Sequence, residues 1–436
     1  MYLQMEIAME ECNLDFRIET LGECRIPSPL TGVCFVRDDE RVAYGSNPKQ
    51  IKACLDVGVE IPSFEVAGPR RHIYFDPSKL KAGIVTCGGL CPGLNDAIRA
   101  IVMSLFHHYG VRTVFGFRYG YEGLSPGHRH TPLELTPDSV RDIHERGGTI
   151  LGSSRGPQDV SEMIDTLERM NVGLLFTIGG DGTLRGTQAM AEEIRQRNLK
   201  IGLIGIPKTI DNDIPFVEES FGFETAVTES RTAIYSARSE ADGARNGIGL
   251  VKLMGRHSGF IAAYATLANS VVNFCLIPEV PFTLDGFLAA LRERLEKRGH
   301  AVIVVGEGAG QDLMEQMNGR DASGNIRLGD IGVFLRDRIR EHFQQVGLEV
   351  TLKYIDPSYT IRSMQANSRD SVFCLLLGHN AVHAAMAGRT NMVVGFWKNE
   401  YTHLPIRLAV SGRKQIDPKG RLWTGVLTAT GQPRGM

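Results

Sequence analysis

Two short polar segments of this chain combine residues that could handle phosphate groups. Residues 178–183 read Ile-Gly-Gly-Asp-Gly-Thr, and residues 207–213, about thirty positions later, read Pro-Lys-Thr-Ile-Asp-Asn-Asp. Glycines allow backbone N–H groups to approach phosphate oxygens without an intervening side chain. Carboxylates can hold Mg²⁺ or accept a proton from a hydroxyl group. The pairing of these segments therefore predicts phosphoryl transfer.

A buried strand is predicted to position the first segment, because residues 172–178 form the apolar run Val-Gly-Leu-Leu-Phe-Thr-Ile. Asp181 would then lie at the carboxyl end of that strand. In an open parallel sheet this edge binds ligands, so Asp181 is predicted to hold Mg²⁺ on a nucleotide. The alternative is a turn in which the Asp181 side chain caps the backbone.

The second segment places Asp211 beside Lys208 and Thr209, after another strand-like run. A carboxylate there could accept a hydroxyl proton while the lysine faces phosphate charge. A solvated turn through Asn212 is the alternative for Asp211 and Asp213. The occurrence of both segments in one chain favours a catalytic role over two unrelated turns.

The composition is that of an ordinary globular protein, with 42% hydrophobic residues, 22% charged residues and a net charge of -2. This charge gives no electrostatic reason to expect nucleic acid or an anionic membrane as a partner, so small-molecule partners are predicted. No apolar stretch approaches the roughly 18 residues of a membrane-spanning helix. The start of the chain lacks the basic and then apolar pattern of a signal peptide, which predicts a cytoplasmic protein.

The cysteines are scattered along the chain and form no Cys-x-x-Cys pair. This spacing predicts reduced thiols that are mostly packed in the core, rather than a zinc site or a disulfide framework.

From residue 73 onward, strand-like apolar runs alternate with glycine turns and helix-like segments. This alternation predicts parallel sheets with right-handed crossovers, and two successive series of runs predict two lobes of one architecture. Residues 1–75 have weak periodicity and are predicted to be an extension that precedes the main fold. The apolar runs are residues 82–86, 111–117, 174–178 and 201–206 in the first series, and 249–253, 274–277, 301–305 and 393–395 in the second.

The order of the polar segments resembles that of the 6-phosphofructokinase family, over nearly all of the chain from about residue 81 to its end. The matching segments are residues 88–95, 151–155, 179–183, 207–213, 254–256, 278–279, 306–307 and 354–362. The extension before residue 75 and the Lys-Thr-Ile-Asp-Asn-Asp variant resemble the plant-like and trypanosomal branch more than the short bacterial enzymes.

The resemblance implies an α/β fold of two doubly wound, Rossmann-like parallel-sheet lobes, with the active site in the cleft between them. Residues 76–222 with about 361–410 would form a nucleotide-binding lobe. Residues 223–360 with about 411–436 would form a sugar-phosphate-binding lobe. The resemblance also implies a homo-oligomer, a dimer or a tetramer, while the charge balance described above predicts small-molecule partners, with no nucleic acid and no membrane.

The implied reaction is transfer of the γ-phosphate of ATP, with Mg²⁺, to the C1 hydroxyl of fructose 6-phosphate, which gives fructose 1,6-bisphosphate and ADP. Asp211 would be the base that takes the hydroxyl proton, and Arg155, Lys208 and Gly182 would complete the catalytic set. The nucleotide and its metal would be held by Gly89, Arg155, Gly156, Gly180, Asp181, Gly182 and Thr183, with Asp181 as the metal ligand. The sugar phosphate would be held by Thr209, Ile210, Asp211, Asp213, Met254, Gly255, Arg256, Glu307, Tyr359, Thr360, Ile361 and Arg362.

Two residues bear on the choice of phosphoryl donor. Lys208 stands where the short bacterial members have glycine, and the pyrophosphate-dependent members also have lysine there. Gly182 is glycine where the pyrophosphate users have aspartate, a carboxylate that would crowd and repel the α-phosphate of ATP. The plant-like and trypanosomal ATP enzymes combine both residues. ATP is therefore predicted as the donor, with pyrophosphate as the alternative.

Two other classes of protein are weighed against this prediction. NAD and lipid kinases share the Gly-Gly-Asp-Gly-Thr segment but lack the segments at residues 207–213 and 354–362. A non-catalytic sugar-phosphate sensor would be expected to have lost the base or the metal carboxylate, whereas Asp211 and Asp181 are both present.

The arginine that short bacterial enzymes lend to a neighbouring subunit has no clean equivalent here, and Arg245 lies close to its position.

Overall fold

The computed structural model describes residues 14–56, 58, 60–314, 319 and 327–436, which form two compact units. The first unit contains the described residues up to Lys208 together with Ile214–Ser220 and Ser371–Gly412. The second contains Thr209–Asp213, Phe221–Asp370 and Arg413–Met436. The predicted lobe boundaries, the functional names of the lobes and the position of the active site in a cleft stay predictions.

Strands of the described residues fall into one large sheet, one smaller sheet and two short pairs. In chain order they are β1 (Glu19–Thr20), β2 (Ile26–Pro27), β3 (Arg41–Ala43), β4 (Ser63–Val66), β5 (His72–Ile73), β6 (Lys81–Thr86), β7 (Thr113–Phe117), β8 (Leu133–Glu134), β9 (Leu174–Gly179), β10 (Gly202–Pro207), β11 (Gly247–Leu253), β12 (Phe274–Leu276), β13 (His300–Gly306), β14 (Thr351–Ile355), β15 (Arg389–Thr390), β16 (Met392–Trp397) and β17 (Glu400–Pro405).

Helices occupy most of the connections between these strands. In chain order the described α-helices are α1 (Pro48–Asp56), α2 (Leu94–Ser104), α3 (Val160–Arg169), α4 (Asp181–Gln196), α5 (Phe223–Asp242), α6 (Phe260–Ala268), α7 (Leu284–Arg298), α8 (Ile331–Val346), α9 (Ser358–Arg362), α10 (Ser368–Met386), α11 (Ile406–Ala409) and α12 (Arg421–Thr430). None of the helices that the structure describes has the length and apolar character needed to cross a bilayer.

The first unit contains a nine-stranded sheet, counted over its described residues, in the order β3-β4-β17-β16-β10-β9-β6-β7-β8. The central strands β16, β10, β9, β6 and β7 pair in parallel, and the strands at both edges pair antiparallel. Strands β9 and β10 are buried along their whole length. Burial on both faces of a parallel sheet explains why these segments read as continuous apolar runs. The predicted α/β class is confirmed, with antiparallel edges that the sequence did not predict.

The segment before residue 75 contributes strands β3 and β4 to this large sheet, while β1 pairs with β15 and β2 with β5. A buried cluster of charges reinforces its attachment. Glu65 Oε1 lies 3.0 Å from Arg70 Nη2, 2.8 Å from Arg389 Nη2 and 3.2 Å from His403 Nδ1. Burial alone would raise the pKa of Glu65, but His403, Arg389 and Arg70 hold it below its usual range. The segment is thus built into the first unit.

The second unit contains a four-stranded sheet, in the order β12-β13-β11-β14, in which every described pair is parallel. Its core combines side chains of β11 and β13 with those of α7 and α8, such as Leu250, Ile303, Phe287 and Leu335. The run at residues 393–395, listed with the second series of apolar runs, lies instead in β16 of the first unit. The parallel sheet places the ends of β11 and β13 at one edge, where part of the candidate site is found.

Six cysteines of the described chain form no disulfide bond: Cys24, Cys34, Cys87, Cys91, Cys275 and Cys374. Cys54 is disulfide-bonded. The prediction of reduced thiols is therefore wrong at Cys54. No spacing motif around Cys54 signals a bond at this position.

Candidate active site

The junction between β9 and α4 forms the first part of the candidate site in the first unit. Strand β9 ends at Gly179, and α4 begins at Asp181 with Gly180 as its N-cap. A Cβ atom at position 179 would overlap the Thr183 side chain, and one at position 180 would come within 3.2 Å of the Lys208 carbonyl oxygen. Glycine permits this close packing at the end of the strand. The N–H groups at such a helix start can bind phosphate oxygens.

The Asp181 carboxylate lies in the first turn of α4, with Oδ2 3.1 Å from Arg185 Nε. Arg185 is itself held by a 2.8 Å hydrogen bond from Nη2 to the Val410 carbonyl oxygen. The Asp181 side chain is 25% exposed. Mg²⁺ usually takes one or two carboxylate ligands and fills its other positions with water and phosphate oxygens. A partly exposed carboxylate beside a helix start of this kind fits that ligand set.

Lys208 follows β10 and is a buried residue of the first unit. Its Nζ donates a 2.9 Å hydrogen bond to the Gly89 carbonyl oxygen, and its backbone N–H donates to the Gly179 carbonyl oxygen at 3.0 Å. A Cβ atom at Gly89 would come within 3.3 Å of Arg155 Nη2. The structure therefore brings together Lys208, Gly89, Arg155 and the β9–α4 junction, as a phosphate site requires.

Tyr121 supports the start of α4 and was missed by sequence reasoning. Its hydroxyl group donates a 2.7 Å hydrogen bond to the Thr183 carbonyl oxygen, and it lies 3.0 Å from Thr187 Oγ1. The adjoining loop is fixed by Ser154 Oγ, which donates to the Tyr119 carbonyl oxygen at 2.6 Å. Tyr121 lies in a single helical turn, Gly120–Leu124, which is too short to carry a periodic signal, so the sequence pattern could not assign it to this position.

Asp211 is the central carboxylate of the second part of the site, which lies in the second unit. Its Oδ2 accepts a hydrogen bond from the Arg256 backbone N–H at 3.3 Å. Burial and then the negative charges of Asp213 and Glu307 raise the pKa of Asp211 to about 7. A carboxyl group that titrates near neutral pH is suited to accept a proton from a hydroxyl group and to release it again.

Asp213 is held rigidly beside Asp211. Only 2% of Asp213 is exposed, its Oδ1 accepts a 2.7 Å hydrogen bond from Thr209 Oγ1, and its Oδ2 pairs with Arg413 Nη1 at 2.7 Å. The Lys414 backbone N–H donates to the Asp213 carbonyl oxygen at 2.8 Å. Arg413 was not among the predicted residues, because it lies far from Asp213 along the chain and no local sequence pattern links the two. It compensates the buried negative charge of Asp213.

The ends of β11 and β13 bring the next group of predicted residues together. The Glu307 backbone N–H donates to the Leu253 carbonyl oxygen at 2.9 Å. Gly255 adopts a φ of 124°, and a Cβ atom there would come within 2.6 Å of the Ser258 carbonyl oxygen. Burial raises the pKa of Glu307, and the positive charges of Arg256 and Arg362 oppose that rise. This group combines the Glu307 carboxylate with the positive charges of Arg256 and Arg362.

The short helix α9 carries the remaining predicted residues. Tyr359 is 78% exposed, and the Arg362 guanidinium lies 4.8 Å from the centre of its ring. Thr360 is also exposed. A planar guanidinium beside an exposed phenol offers several donors to a phosphate group. Three other predicted binding residues have buried apolar side chains: Ile210, Met254 and Ile361.

A second network missed by sequence reasoning fixes the start of α9. Lys252 Nζ lies 2.9 Å from both Asp330 Oδ2 and Asp356 Oδ2. Asp356 Oδ1 accepts hydrogen bonds from the Ser358 backbone N–H at 3.0 Å and from Ser358 Oγ at 2.6 Å. Burial alone would lower the pKa of Lys252, but the two carboxylates raise it above its usual range. Lys252 thus connects β11 to the helix that carries Tyr359.

Arg245 lies away from these residues within its own unit. It is exposed and precedes β11, whereas Met254 follows the other end of that strand. A strand of this length spans about 23 Å. The second unit therefore does not bring Arg245 to the group formed by Asp211, Arg256 and Glu307.

Comparison with known proteins gives consistent matches over most of the chain. A family model described as phosphofructokinase matches residues 81–385. The chain is 51% identical to the ATP-dependent 6-phosphofructokinase of Amycolatopsis methanolica, over 96% of this chain and 95% of that protein. It is 47% identical to the ATP-dependent 6-phosphofructokinase of Trypanosoma cruzi, over 90% of this chain and 81% of that protein.

Solved structures share the fold at lower sequence identity. The pyrophosphate-dependent phosphofructokinase of Marinobacter aquaeolei matches with a TM-score of 0.66 and 19% identity, over 81% of this chain and 92% of that chain. Phosphofructokinase of Pichia pastoris in the T-state matches with a TM-score of 0.61 and 21% identity, over 89% of this chain and 39% of that chain. These two likenesses show the fold alone.

Proposed function

Because this chain belongs to the phosphofructokinase family, we propose that it transfers the γ-phosphate of ATP to the C1 hydroxyl of fructose 6-phosphate. The products are fructose 1,6-bisphosphate and ADP. The observation that carries this proposal is the 51% identity to an ATP-dependent 6-phosphofructokinase over 96% of the chain. The geometry of both candidate regions supports it, because each offers the groups that its half of the reaction needs.

Asp211 is the base of the proposed reaction. It takes the proton of the C1 hydroxyl as that oxygen forms its bond to the γ-phosphorus, while the bond from the γ-phosphorus to the leaving oxygen of ADP breaks. A pKa of about 7 leaves a substantial ionised fraction at neutral pH. Thr209 and Arg413 hold Asp213 next to it, so that Asp213 orients the sugar hydroxyl and the base.

The phosphoryl donor is assigned to the first unit. The N–H groups at the start of α4, between Gly180 and Thr183, and the Gly89 region line the phosphates. Lys208, Arg155 and Gly156 approach the transferring phosphoryl group, where positive charge and backbone N–H groups stabilise the oxygens. Asp181 holds Mg²⁺, which neutralises phosphate charge when it is bound.

The sugar phosphate is assigned to the second unit. The guanidinium of Arg362 and the hydroxyl of Tyr359 bind the 6-phosphate, because both are presented on α9. Arg256 and Glu307 bind sugar hydroxyls at the ends of β11 and β13. The side chains of Ile210, Met254 and Ile361 are buried, so these residues would contact substrate only through their backbone. Gly255 and Thr360 complete the lining.

A cytoplasmic location and a homo-oligomer, a dimer or a tetramer, belong to the same proposal. The homo-oligomer rests on the family resemblance, and the cytoplasmic location rests on the prediction made from the sequence pattern. Sedimentation of the purified protein at several concentrations measures the subunit number, and a monomer at every concentration would contradict the oligomer.

The donor assay tests the proposed function most directly. Purified protein is given fructose 6-phosphate with ATP, with pyrophosphate or with no donor, and fructose 1,6-bisphosphate is measured. We expect turnover with ATP and little with pyrophosphate. Lys208 is the observation that favours pyrophosphate, so equal or faster turnover with pyrophosphate would select that alternative. Sugar-phosphate binding without turnover with either donor would indicate a sensor, and phosphorylation of NAD or lipid instead would indicate the other kinase classes.

We expect metal dependence through Asp181. Chelator should abolish turnover with ATP, and added Mg²⁺ should restore it, because the metal screens the phosphate charge that opposes attack. Asp181→Asn should raise the Mg²⁺ concentration that gives half-maximal rate by about tenfold or more. The matched control is Glu192→Gln, a change at an exposed acid on the same helix. Undiminished turnover in excess chelator, or equal Mg²⁺ requirements for both variants, would contradict the assignment.

A further inference from the structure

A second cluster of metal-ligating side chains lies in the first unit, outside the residues assigned to the reaction. It consists of Glu122, His128 and His130, each of which offers one ligand atom, and these atoms all lie within 4.8 Å of one another. His130 Nε2 is 3.8 Å from Glu122 Oε2. Among the described residues, no other group of three histidine, cysteine or acidic side chains meets this spacing.

The backbone holds the two histidines on the same side of the loop. His128 ends a single-turn helix, Pro126–His128, and Arg129 then adopts a φ of 55° before His130. A positive φ is unfavourable for a residue with a side chain, so this turn is fixed by its surroundings. The two imidazole rings consequently stack nearly parallel, with centroids 5.9 Å apart and planes 7° apart. Glu122 approaches them from the preceding helical turn, Gly120–Leu124.

We propose that Glu122, His128 and His130 form a binding site for a divalent transition-metal ion, with Zn²⁺ as the best match. Two imidazole nitrogens and one carboxylate oxygen form a ligand set that suits Zn²⁺ and related ions. Mg²⁺ prefers oxygen ligands and disfavours imidazole. The proposed site therefore selects a different ion from the one assigned to Asp181.

The observed spacing requires a modest closure around the ion. Zn–N bonds of about 2.0–2.1 Å place tetrahedral ligand atoms about 3.3 Å apart, so the widest pair must approach by about 1.5 Å. The side chains of Glu122 and His130 are 26% and 28% exposed, and His128 is exposed, so rotation of side chains can supply this movement. Water fills the fourth position. Gln158 Oε1 lies 3.2 Å from His128 Nε2, and an acceptor of this kind can fix the tautomer of a ligating histidine.

Binding at this cluster should stabilise the loop that supports α4. Glu122 follows Tyr121, whose hydroxyl group donates to the Thr183 carbonyl oxygen, and Tyr119 accepts a hydrogen bond from Ser154. An ion that binds the folded loop and not the unfolded chain raises the unfolding temperature, by an amount that grows with the logarithm of the ion concentration divided by its dissociation constant. Thermal unfolding therefore gives a readout that does not depend on the proposed kinase activity.

The experiment uses tag-free, nucleotide-free full-length protein from which metals have been removed with chelator. The variant Cys34→Ser serves as the background for all proteins, so that the exposed Cys34 thiol does not bind the probe. Zinc chloride is titrated by calorimetry, and thermal unfolding is measured with and without it. We expect one tight site per chain and a higher unfolding temperature with zinc. Excess Mg²⁺ should not displace the ion.

Three single variants, Glu122→Gln, His128→Gln and His130→Gln, should each weaken zinc affinity by about 100-fold, because loss of an outer partner alone costs 10- to 100-fold. The matched control is His72→Gln, a change at an exposed histidine in β5, and it should leave the affinity unchanged. A variant that carries all three changes tests whether the two remaining ligands can compensate for the loss of one. If the triple variant binds zinc as tightly as the background protein, the site is not at this cluster and the proposal is wrong. Absence of tight binding in the background protein would overturn it equally.

Discussion

Replacing Asp211 with asparagine should lower kcat for ATP-dependent phosphorylation of fructose 6-phosphate by about 100-fold or more. Asparagine keeps the shape of the side chain but cannot take the proton of the C1 hydroxyl. KM for both substrates should change little, because the variant removes an interaction that matters in the transition state. Steady-state kinetics with varied ATP and varied fructose 6-phosphate measures both quantities.

The matched control for this variant is Asp285→Asn, a change at an exposed acid of α7 in the same unit, which should keep the wild-type kcat.

The folding of Asp211→Asn can be checked by measuring its thermal stability. Because burial, Asp213 and Glu307 raise the pKa of Asp211 to about 7, its stabilising contribution is complete at low pH and is lost as pH rises through about 7. At pH values above 7 the ionised carboxylate destabilises the fold, so Asp211→Asn should unfold at a higher temperature than wild type there. A near-wild-type kcat in a folded variant would contradict the role of Asp211 as base.

The same pKa sets the expected pH profile of the wild-type enzyme. The base must be ionised to take a proton, and kcat/KM reports the pKa of the free enzyme, so kcat/KM should fall about tenfold for each pH unit well below the pKa of about 7. In Asp211→Asn the residual rate should lose this dependence. A profile that stays flat down to pH 5 in the wild type would indicate that another group takes the proton.

The parts of the site that lie close together in sequence were the parts that could be predicted. The strand, glycine turn and helix around Asp181 have a local pattern, because a buried parallel strand is apolar and a helix start needs glycine where the backbone packs closely. Asp211 was identified through its neighbours Lys208 and Thr209. Their roles in catalysis stay predictions that the geometry supports.

The residues that fix these groups could not be predicted from spacing. Arg413 pairs with Asp213, and Lys252 bridges Asp330 to Asp356, through contacts between distant segments of the chain. Tyr121 supports the start of α4 from a helical turn that is too short to show periodicity. Such contacts arise only when the chain has folded, so a single sequence carries no local sign of them. They are nevertheless what restricts the movement of the predicted side chains.

The fold shows the same division between local and distant information. Long, fully buried strands such as β9 and β10 were predicted by their apolar runs. Strands β3 and β4 were missed because they are short and lie near an antiparallel edge, so their alternation covers too few residues to be recognised. Their place in the sheet depends on pairing with β17, which lies at the other end of the chain.

Replacing Gly182 with aspartate should lower kcat/KM for ATP by about 100-fold or more. Gly182 is the second residue of α4, and a Cβ atom there meets no atom of the described chain within 4 Å. The new side chain therefore fits the protein, and an acidic residue in the first helical turn is favourable for the helix. What it opposes is the α-phosphate of ATP, because two negative charges about 4 Å apart near a protein surface repel by about 4 kcal/mol.

A comparison of Gly182→Asp with Gly182→Asn separates charge from volume, since the two side chains have nearly the same shape. We expect Gly182→Asn to lose less ATP activity than Gly182→Asp, and both to keep the wild-type unfolding temperature within a few degrees. In the proposed site Lys208 would attract the transferring phosphoryl group of either donor, so it should govern the rate more than the selection, whereas exclusion by charge and volume would act on ATP alone. Equal kcat/KM for ATP in wild type and Gly182→Asp would show that position 182 does not contact the α-phosphate, and Lys208 would then be the better guide to the donor.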